Sequence, residues 1–447
     1  MLSEESTAER TNTSSEFVIS NNKNEIDIEH FNQILLLEIT EPGKDNVLAA
    51  IKKLEQRADV LYAGPNYYCE LANEIMPASS NIIGPWDELY DQQWAIEMIN
   101  LSDAWNISTG EDHLITIGIV DQGVQSQHPD LVSRVNSSKS REIDTAANVN
   151  TVSTVTDVSG HGTMIAGIIG ARTSNQVGIS GVNWDAEIVS LRLELNNQGN
   201  TTVAAMIKMF QIAEQLEIDI LNVSIYIISS DPNVPGIEEA AEGFSGLIVC
   251  AAGNYSMELT EDSMLYPTCL DIDNMIVVGA SNTYDNRWYG SNYSVEIVDL
   301  FAPGAAILSC YPTTLCDPDG HTTEIPDYHH SYGYHYSTGT SFAAPYVAGV
   351  ASLIWAKYPT LTAEEVKARI LNGVDVVSGF LGKCSTNGRL NAYKALCNHT
   401  YSSSYEYSDS SYHISYCACG MSRYDAHTWI EMDGYLYCSG CSYRQYI

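Results

Sequence analysis

Beyond residue 114 the chain alternates short unbroken apolar runs with stretches of helical period. LITIGIV (114–120), AEIVSLRL (186–193), IDILNVSIY (218–226), GLIVCAAGN (246–254) and NMIVVGAS (274–281) read as strands buried on both faces. Between and after them, HGTMIAGIIGA (161–171), VAAMIKMFQIAEQL (203–216) and LTAEEVKARILNGV (361–374) read as helices, and GRLNAYKAL (388–396) closes the series. This alternation predicts an α/β fold, a doubly wound and mostly parallel sheet with helices on both faces. STGTSFAAPYVAG (337–349) predicts a further helix opening near Ser341. Pro345 then stands in its first turn, where a missing N–H removes no needed bond.

Smaller patterns flank this region. Residues 1–30 are polar and read as a flexible segment. QILLLEI (33–39), KDNVLAAIKKLEQRA (44–58, with Asp45 available as a cap) and ADVLYAGPNYYCEL (58–71) predict strand, helix and strand, a small α+β unit over 31–72. A connecting segment at 73–85 leads into the main domain, 86–397. A Ser/Tyr-rich linker (398–416) and a small Cys-bearing tail (417–447) follow.

At 447 residues the chain exceeds the usual single domain. Its formal charge of −35 argues against a nucleic-acid partner, which requires clustered Lys and Arg. No apolar run reaches bilayer length; YVAGVASLIWA (346–356) is too short. The first residues lack a basic start and an apolar core, so no signal peptide is visible in this chain. Either the protein stays inside or a signal had been removed. Eleven cysteines is an odd number, so not all of them pair with one another.

In α/β sheets functional groups gather at the carboxyl ends of strands. Asp121 ends the first strand, in GIVDQGV. His161 opens a helix between glycines, in GHGT. Asn254 follows a strand in CAAGN, and Ser341 opens the small-residue helix. Taken singly, each has an ordinary reading as a turn, cap or core residue. Together, and in this order, they supply an orienting acid, a base, an amide donor and a nucleophile.

On these motifs the chain resembles the subtilisin-like serine peptidases, from about Trp86 to Leu396. HPDL (128–131), GISGVNW (178–184), VVGAS (277–281) and FAPGAAILS (301–309) add to the likeness. The resemblance implies a serine endopeptidase acting on protein or peptide substrates, with no cofactor needed for the chemistry. It carries Asp121, His161 and Ser341 over as the triad and Asn254 as the oxyanion donor, with Ser224, Ile225, Tyr226, Ala251, Ala252 and Gly253 along the substrate. It also implies that residues 31–72 are an inhibitory propeptide, packed in cis on the catalytic domain. The chain would then cut itself between about Cys69 and Asp87. The alternative for 31–71 is a small interaction domain.

The sequence departs from the family in places. Ser224-Ile225-Tyr226-Ile227 stands where Ser-Leu-Gly-Gly is common, so Tyr226 fills space or removes backbone access. Met164, Phe342 and Tyr346 replace the usual His, Met and His, as packing changes. The insertion between Cys310 and Ser341, rich in His, Asp and Tyr, reads as an exposed loop closed by a Cys310–Cys316 bridge, or else as a metal-binding or gating loop. Cys384 and Cys397 form another possible pair, and Cys250 reads as an inert core thiol. In the tail, Cys417, Cys419, Cys438 and Cys441 approach zinc-ribbon spacing or form two disulfides. Ca²⁺ is implied by the family alone, with no complete calcium-loop pattern readable. The expected location is secreted or cell-surface. A catalytically silent binding or surface protein is the alternative function. An esterase is disfavoured because that fold orders its residues Ser, Asp, His around G-x-S-x-G.

Overall fold

The computed structural model of the protein describes most of residues 85–397, apart from residue 86 and short stretches within 152–155, 196–200, 229–235, 261–264 and 313–332. Beyond these it describes Lys52 and Lys53 and backbone strands within 406–446. The chain divides into two compact units, Met1–Ser80 and Asn81–Ile447. Nearly all of the first unit, including the strand–helix–strand pattern of 31–72, lies outside the described residues.

The second unit is built on a ten-stranded sheet. Its centre is six strands, β1 (Thr116–Asp121), β2 (Glu187–Leu193), β3 (Ile220–Val223), β4 (Leu247–Ala251), β5 (Met275–Ser281) and β6 (Leu300–Pro303). They lie in the order 6-5-4-3-1-2, and every neighbouring pair is parallel. The two edges continue through short strands at Arg141–Ile143 and Val149–Thr151, and at Gly388–Arg389 and Asp375–Val376.

The continuous apolar runs arise because each central strand is covered twice. Ile117 and Ile119 of β1 join the core containing α1 (His161–Gly170) and α3 (Thr340–Lys357). Val120 joins the opposite core with α2 (Val203–Gln215). Successive side chains of a strand point to opposite faces, so one strand feeds both cores. Every residue of α3 from Thr340 to Ile354 is buried, which is why that helix is apolar or small all round. The chain leaves β1 for β2 on one side and returns as β3 on the other. This order reversal opens a crevice at the carboxyl end of β1.

Several expectations change. The strand predicted over 218–226 stops at Val223. Helix α3 begins at Thr340, so Pro345 is its sixth residue and not in the first turn. A peptide N–H at that position would have reached the Ser341 carbonyl. That carbonyl instead lies 3.5 Å from the Ser224 hydroxyl.

No Cys310–Cys316 bridge forms. Cys310 ends a strand, Ile307–Cys310, and turns its free thiol inward beneath Gly167 of α1. The insertion is closed by backbone ladders, Ile307–Cys310 with Tyr334–Ser337 and Thr314–Cys316 with Thr322–Glu324. Cys384 is likewise a buried free thiol, 3.8 Å from the Gly388 carbonyl and unpaired with Cys397. Cys250 is a free core thiol packed on Met275, and burial pushes its pKa well up.

The C-terminal region contains two three-stranded antiparallel sheets. Their strands begin at Glu406, inside the stretch read as a linker. Cys417 and Cys438 are buried there; Cys419 and Cys441 lie outside the described residues. Among the described residues no helix is long and apolar enough to cross a membrane.

Candidate active site

Four elements deliver their ends to the crevice. Asp121 is the last residue of β1 and only 1% exposed. His161 is the first residue of α1, and its Nδ1 lies 2.7 Å from Asp121 Oδ2. The other carboxylate oxygen accepts the Gln122 N–H at 2.8 Å, so Asp121 is held from both sides. Helix α1 can start this close because its second residue is Gly162. A Cβ there would stand 2.0 Å from the Gly123 carbonyl oxygen and 3.1 Å from Asp121 Cβ.

Two opposed effects set the charge of His161. Burial pushes the imidazole pKa down, while the charge and hydrogen bond of Asp121, helped by the Asp157 charge, push it up. The carboxylates prevail, and the pKa lies above the ordinary 6.5. The Phe342 ring meets the imidazole edge-on at 5.3 Å between centroids, which sets His161 beside the start of α3.

Ser341 is the second residue of α3. Its N–H belongs to the first helical turn, which has no intrahelical acceptor, and the helix dipole places positive potential there. Among the described residues the Ser341 hydroxyl has no hydrogen-bond partner. Asn254 lies three residues past the end of β4. Gly253 adopts φ +93°, a left-handed conformation that turns the chain back toward α3. The Gly253 N–H donates to Thr340 Oγ1 at 3.0 Å, and Asn254 Oδ1 accepts from both the N–H and the hydroxyl of Thr340. With its oxygen committed, Asn254 has Nδ2 left as the donor toward the crevice.

The six residues expected along the substrate divide between two walls. Ser224, Ile225 and Tyr226 follow β3; Ala251, Ala252 and Gly253 end or follow β4. Ser224 Oγ accepts from Asn222 Nδ2 at 3.0 Å and approaches the Ser341 carbonyl, linking the first wall to α3.

Three supporting residues escaped the sequence reading. Buried Asp157 accepts the N–H groups of Ser159, Gly160 and Thr163 and the Thr163 hydroxyl, at 2.6–2.9 Å, and so fixes the turn into His161. Buried Asn292 spans Asn254, donating to the Ala252 carbonyl and accepting the Tyr255 and Met257 N–H groups. Asn222 is the third. An acidic residue four positions before His161 was a readable signal for Asp157; Asn222 and Asn292 carried none.

Among the described residues, one pair of carboxylates offers poor ligands to the Ca²⁺ that the family resemblance implies. The neighbouring buried carboxylates Asp87 and Asp130 face donors with all four oxygens. Asp87 accepts from the Ser174, Asn175 and Gln176 N–H groups and the Ser180 hydroxyl. Asp130 accepts from Asn175 Nδ2, the Ile179 N–H and the Tyr334 hydroxyl. Among the described residues no three acidic, His or Cys side chains converge as metal ligands.

Comparison with known proteins gives a consistent result. A family model described as the subtilase family, Peptidase_S8, matches residues 112–405. Thermitase of Thermoactinomyces vulgaris is 32% identical over 305 residues, 68% of this chain and 96% of its own length. Subtilisin DY of Bacillus licheniformis is 30% identical over 57% of this chain and 82% of its own. The major intracellular serine protease of Bacillus subtilis (strain 168) is 31% identical over 54% and 68%. A solved protease from Pseudoalteromonas arctica PAMC 21717 shares the fold, with a TM-score of 0.56 and 22% identity over 70% of this chain and 98% of its own.

Proposed function

As the chain belongs to the subtilase family it is a serine-type endopeptidase, and we propose that it cuts peptide bonds by acyl transfer to Ser341. In this reading His161 takes the Ser341 hydroxyl proton as Oγ attacks the substrate carbonyl. It later returns that proton to the leaving amine. Asp121 holds the imidazole tautomer and stabilises its charged form. The oxyanion is received by Asn254 Nδ2 and the Ser341 N–H, both aimed before the charge develops. The observation that carries the reading is the 2.7 Å contact of His161 with Asp121 at the end of β1, beside the start of α3.

The enzyme is further proposed to be a self-processing zymogen, with residues 31–72 as its inhibitory segment and 73–85 as the processed link. The division of the chain at Ser80 supports this reading, since it falls inside the expected cleavage stretch. So do the four donors on Asp87, which tie the first described residues of the main domain to the loop at 174–180. In the tail, zinc or two disulfides remain the two readings for Cys417, Cys419, Cys438 and Cys441. The free thiols of Cys250, Cys310 and Cys384 suit a reducing compartment as well as an exported protein.

Paired expression of the chain and Ser341→Ala, followed by intact-mass spectrometry and hydrolysis of a protein substrate, tests both parts. The parent chain should lose roughly its first 70–90 residues and hydrolyse the substrate, while the variant stays whole and inert. A parent chain that stays whole and inert overturns both and favours the silent binding protein. A parent chain that is active while uncut overturns the zymogen alone.

A further inference from the structure

The two walls of the crevice are joined across its mouth. Strands β3 and β4 are parallel neighbours, with Val223 opposite Cys250, so the loops that follow them leave the sheet side by side. Both loops reach the start of α3, one through Ser224 Oγ near the Ser341 carbonyl and the other through Asn254 and Gly253 on Thr340. The nucleophile therefore sits at the end of the gap between them. In the acyl-transfer reading, an acyl group on Ser341 Oγ whose oxygen is held by Asn254 Nδ2 would carry its side chain beside that gap.

Each wall contributes a tyrosine there. Tyr226 is two residues past Ser224 and Tyr255 immediately follows Asn254. The Tyr226 hydroxyl donates to the Tyr255 hydroxyl at 2.8 Å, and the rings meet edge-on at 5.9 Å. Both are held at the base. Tyr226 packs with Ile225 and Ile227 on the core beneath the sheet, and the Tyr255 N–H is fixed by buried Asn292. Tyr255 remains half exposed, so the bridge lies at the mouth.

We propose that the bridged pair Tyr226–Tyr255 bars this gap and restricts the enzyme to substrates with a small side chain, Gly, Ala or Ser, on the residue whose carbonyl is attacked. This rests on the acyl-transfer reading. Tyr226 and Tyr255 are specificity residues and take no part in proton transfer. An aromatic or long aliphatic side chain must break the hydroxyl bridge and displace a ring packed on the core before its carbonyl reaches Ser341.

Two peptide anilides identical except for Ala or Phe at the attacked residue test the proposal on the mature enzyme. A fluorophosphonate probe counts reactive Ser341 in every preparation, so a misfolded variant is recognised. The parent should turn over the Ala substrate at least about tenfold faster in kcat/KM than the Phe substrate. Tyr226→Gly should raise the Phe-to-Ala ratio by about tenfold or more, and Tyr226→Phe, which loses only the hydroxyl, by a smaller factor. A parent that is labelled yet cleaves both equally, or a ratio that Tyr226→Gly leaves unmoved, overturns the bar. A Tyr226→Phe ratio equal to that of the parent overturns the role of the hydroxyl bridge. Absence of both labelling and turnover in the parent overturns the acyl-transfer reading and this proposal with it.

Discussion

Asn254 Oδ1 accepts two hydrogen bonds from one residue, the Thr340 N–H at 2.9 Å and the Thr340 hydroxyl at 3.0 Å. That double contact fixes which way the amide faces, because an oxygen engaged there leaves Nδ2 as the donor for the proposed oxyanion contact. Replacing Asn254 by Ala should lower kcat about 10²–10³-fold with little change in KM, a magnitude known from subtilisin itself. Thr340→Val keeps the N–H contact but removes the hydroxyl, which also accepts the Gly253 N–H. One neutral hydrogen bond is worth about 1 kcal/mol, so kcat should fall about tenfold or less. Steady-state kinetics on the Ala anilide decide the matter. A Thr340→Val enzyme with the parent's kcat would mean that the Thr340 hydroxyl is not needed to orient the amide.

In its proposed role His161 works as a base only when neutral. Burial lowers its pKa, but Asp121 first and Asp157 second raise it further, so the folded-state value lies above 6.5. The acid limb of the kcat/KM profile is expected above pH 6.5. The linked stability has the matching sign. A raised folded-state pKa stabilises the fold most below the unfolded value and loses that contribution as pH rises through the folded value. Asp121→Asn should move the limb to lower pH, remove this acid-side contribution and cut kcat about 10⁴-fold by freeing the tautomer. An acid limb at or below pH 6.5 in the parent enzyme would contradict the assignment.

The four proposed catalytic positions were legible because each lies at or close to an element boundary, inside a short motif (GIVDQGV, GHGT, CAAGN, GTSFAAP). The parallel strands were legible because burial on two faces leaves an unbroken apolar run. What the sequence hid comes from contacts between distant segments. Asn292 meets Tyr255 across 37 residues and Thr340 meets Asn254 across 86, and neither contact imposes a local period. Spacing alone misled at Cys310. Only five residues separate it from Cys316, yet its side chain is buried against Gly167 of α1, and backbone pairing closes the loop instead. At Pro345 the missing N–H removes a bond that the helix would otherwise have made, and the freed Ser341 carbonyl becomes the contact for Ser224.

Asp157 gives the last test, because its role is visible only in three dimensions. Its carboxylate takes three backbone N–H groups and the Thr163 hydroxyl, and that hydroxyl accepts the Gln125 N–H at 2.8 Å. One buried side chain thus ties the loop after β1 to the turn that presents His161. Asp157→Ala leaves these donors without a partner, at about 1–3 kcal/mol for each buried group, so a total loss of about 3 kcal/mol or more is expected. Asp157→Asn keeps the shape but faces an NH₂ toward donors, and should be destabilised by a smaller amount. Urea midpoints measured in the Ser341→Ala background exclude self-digestion. In the active background both variants should lose kcat, because His161 is no longer held at the end of β1. A midpoint for Asp157→Ala equal to that of its parent would show that the turn before His161 is set by other contacts.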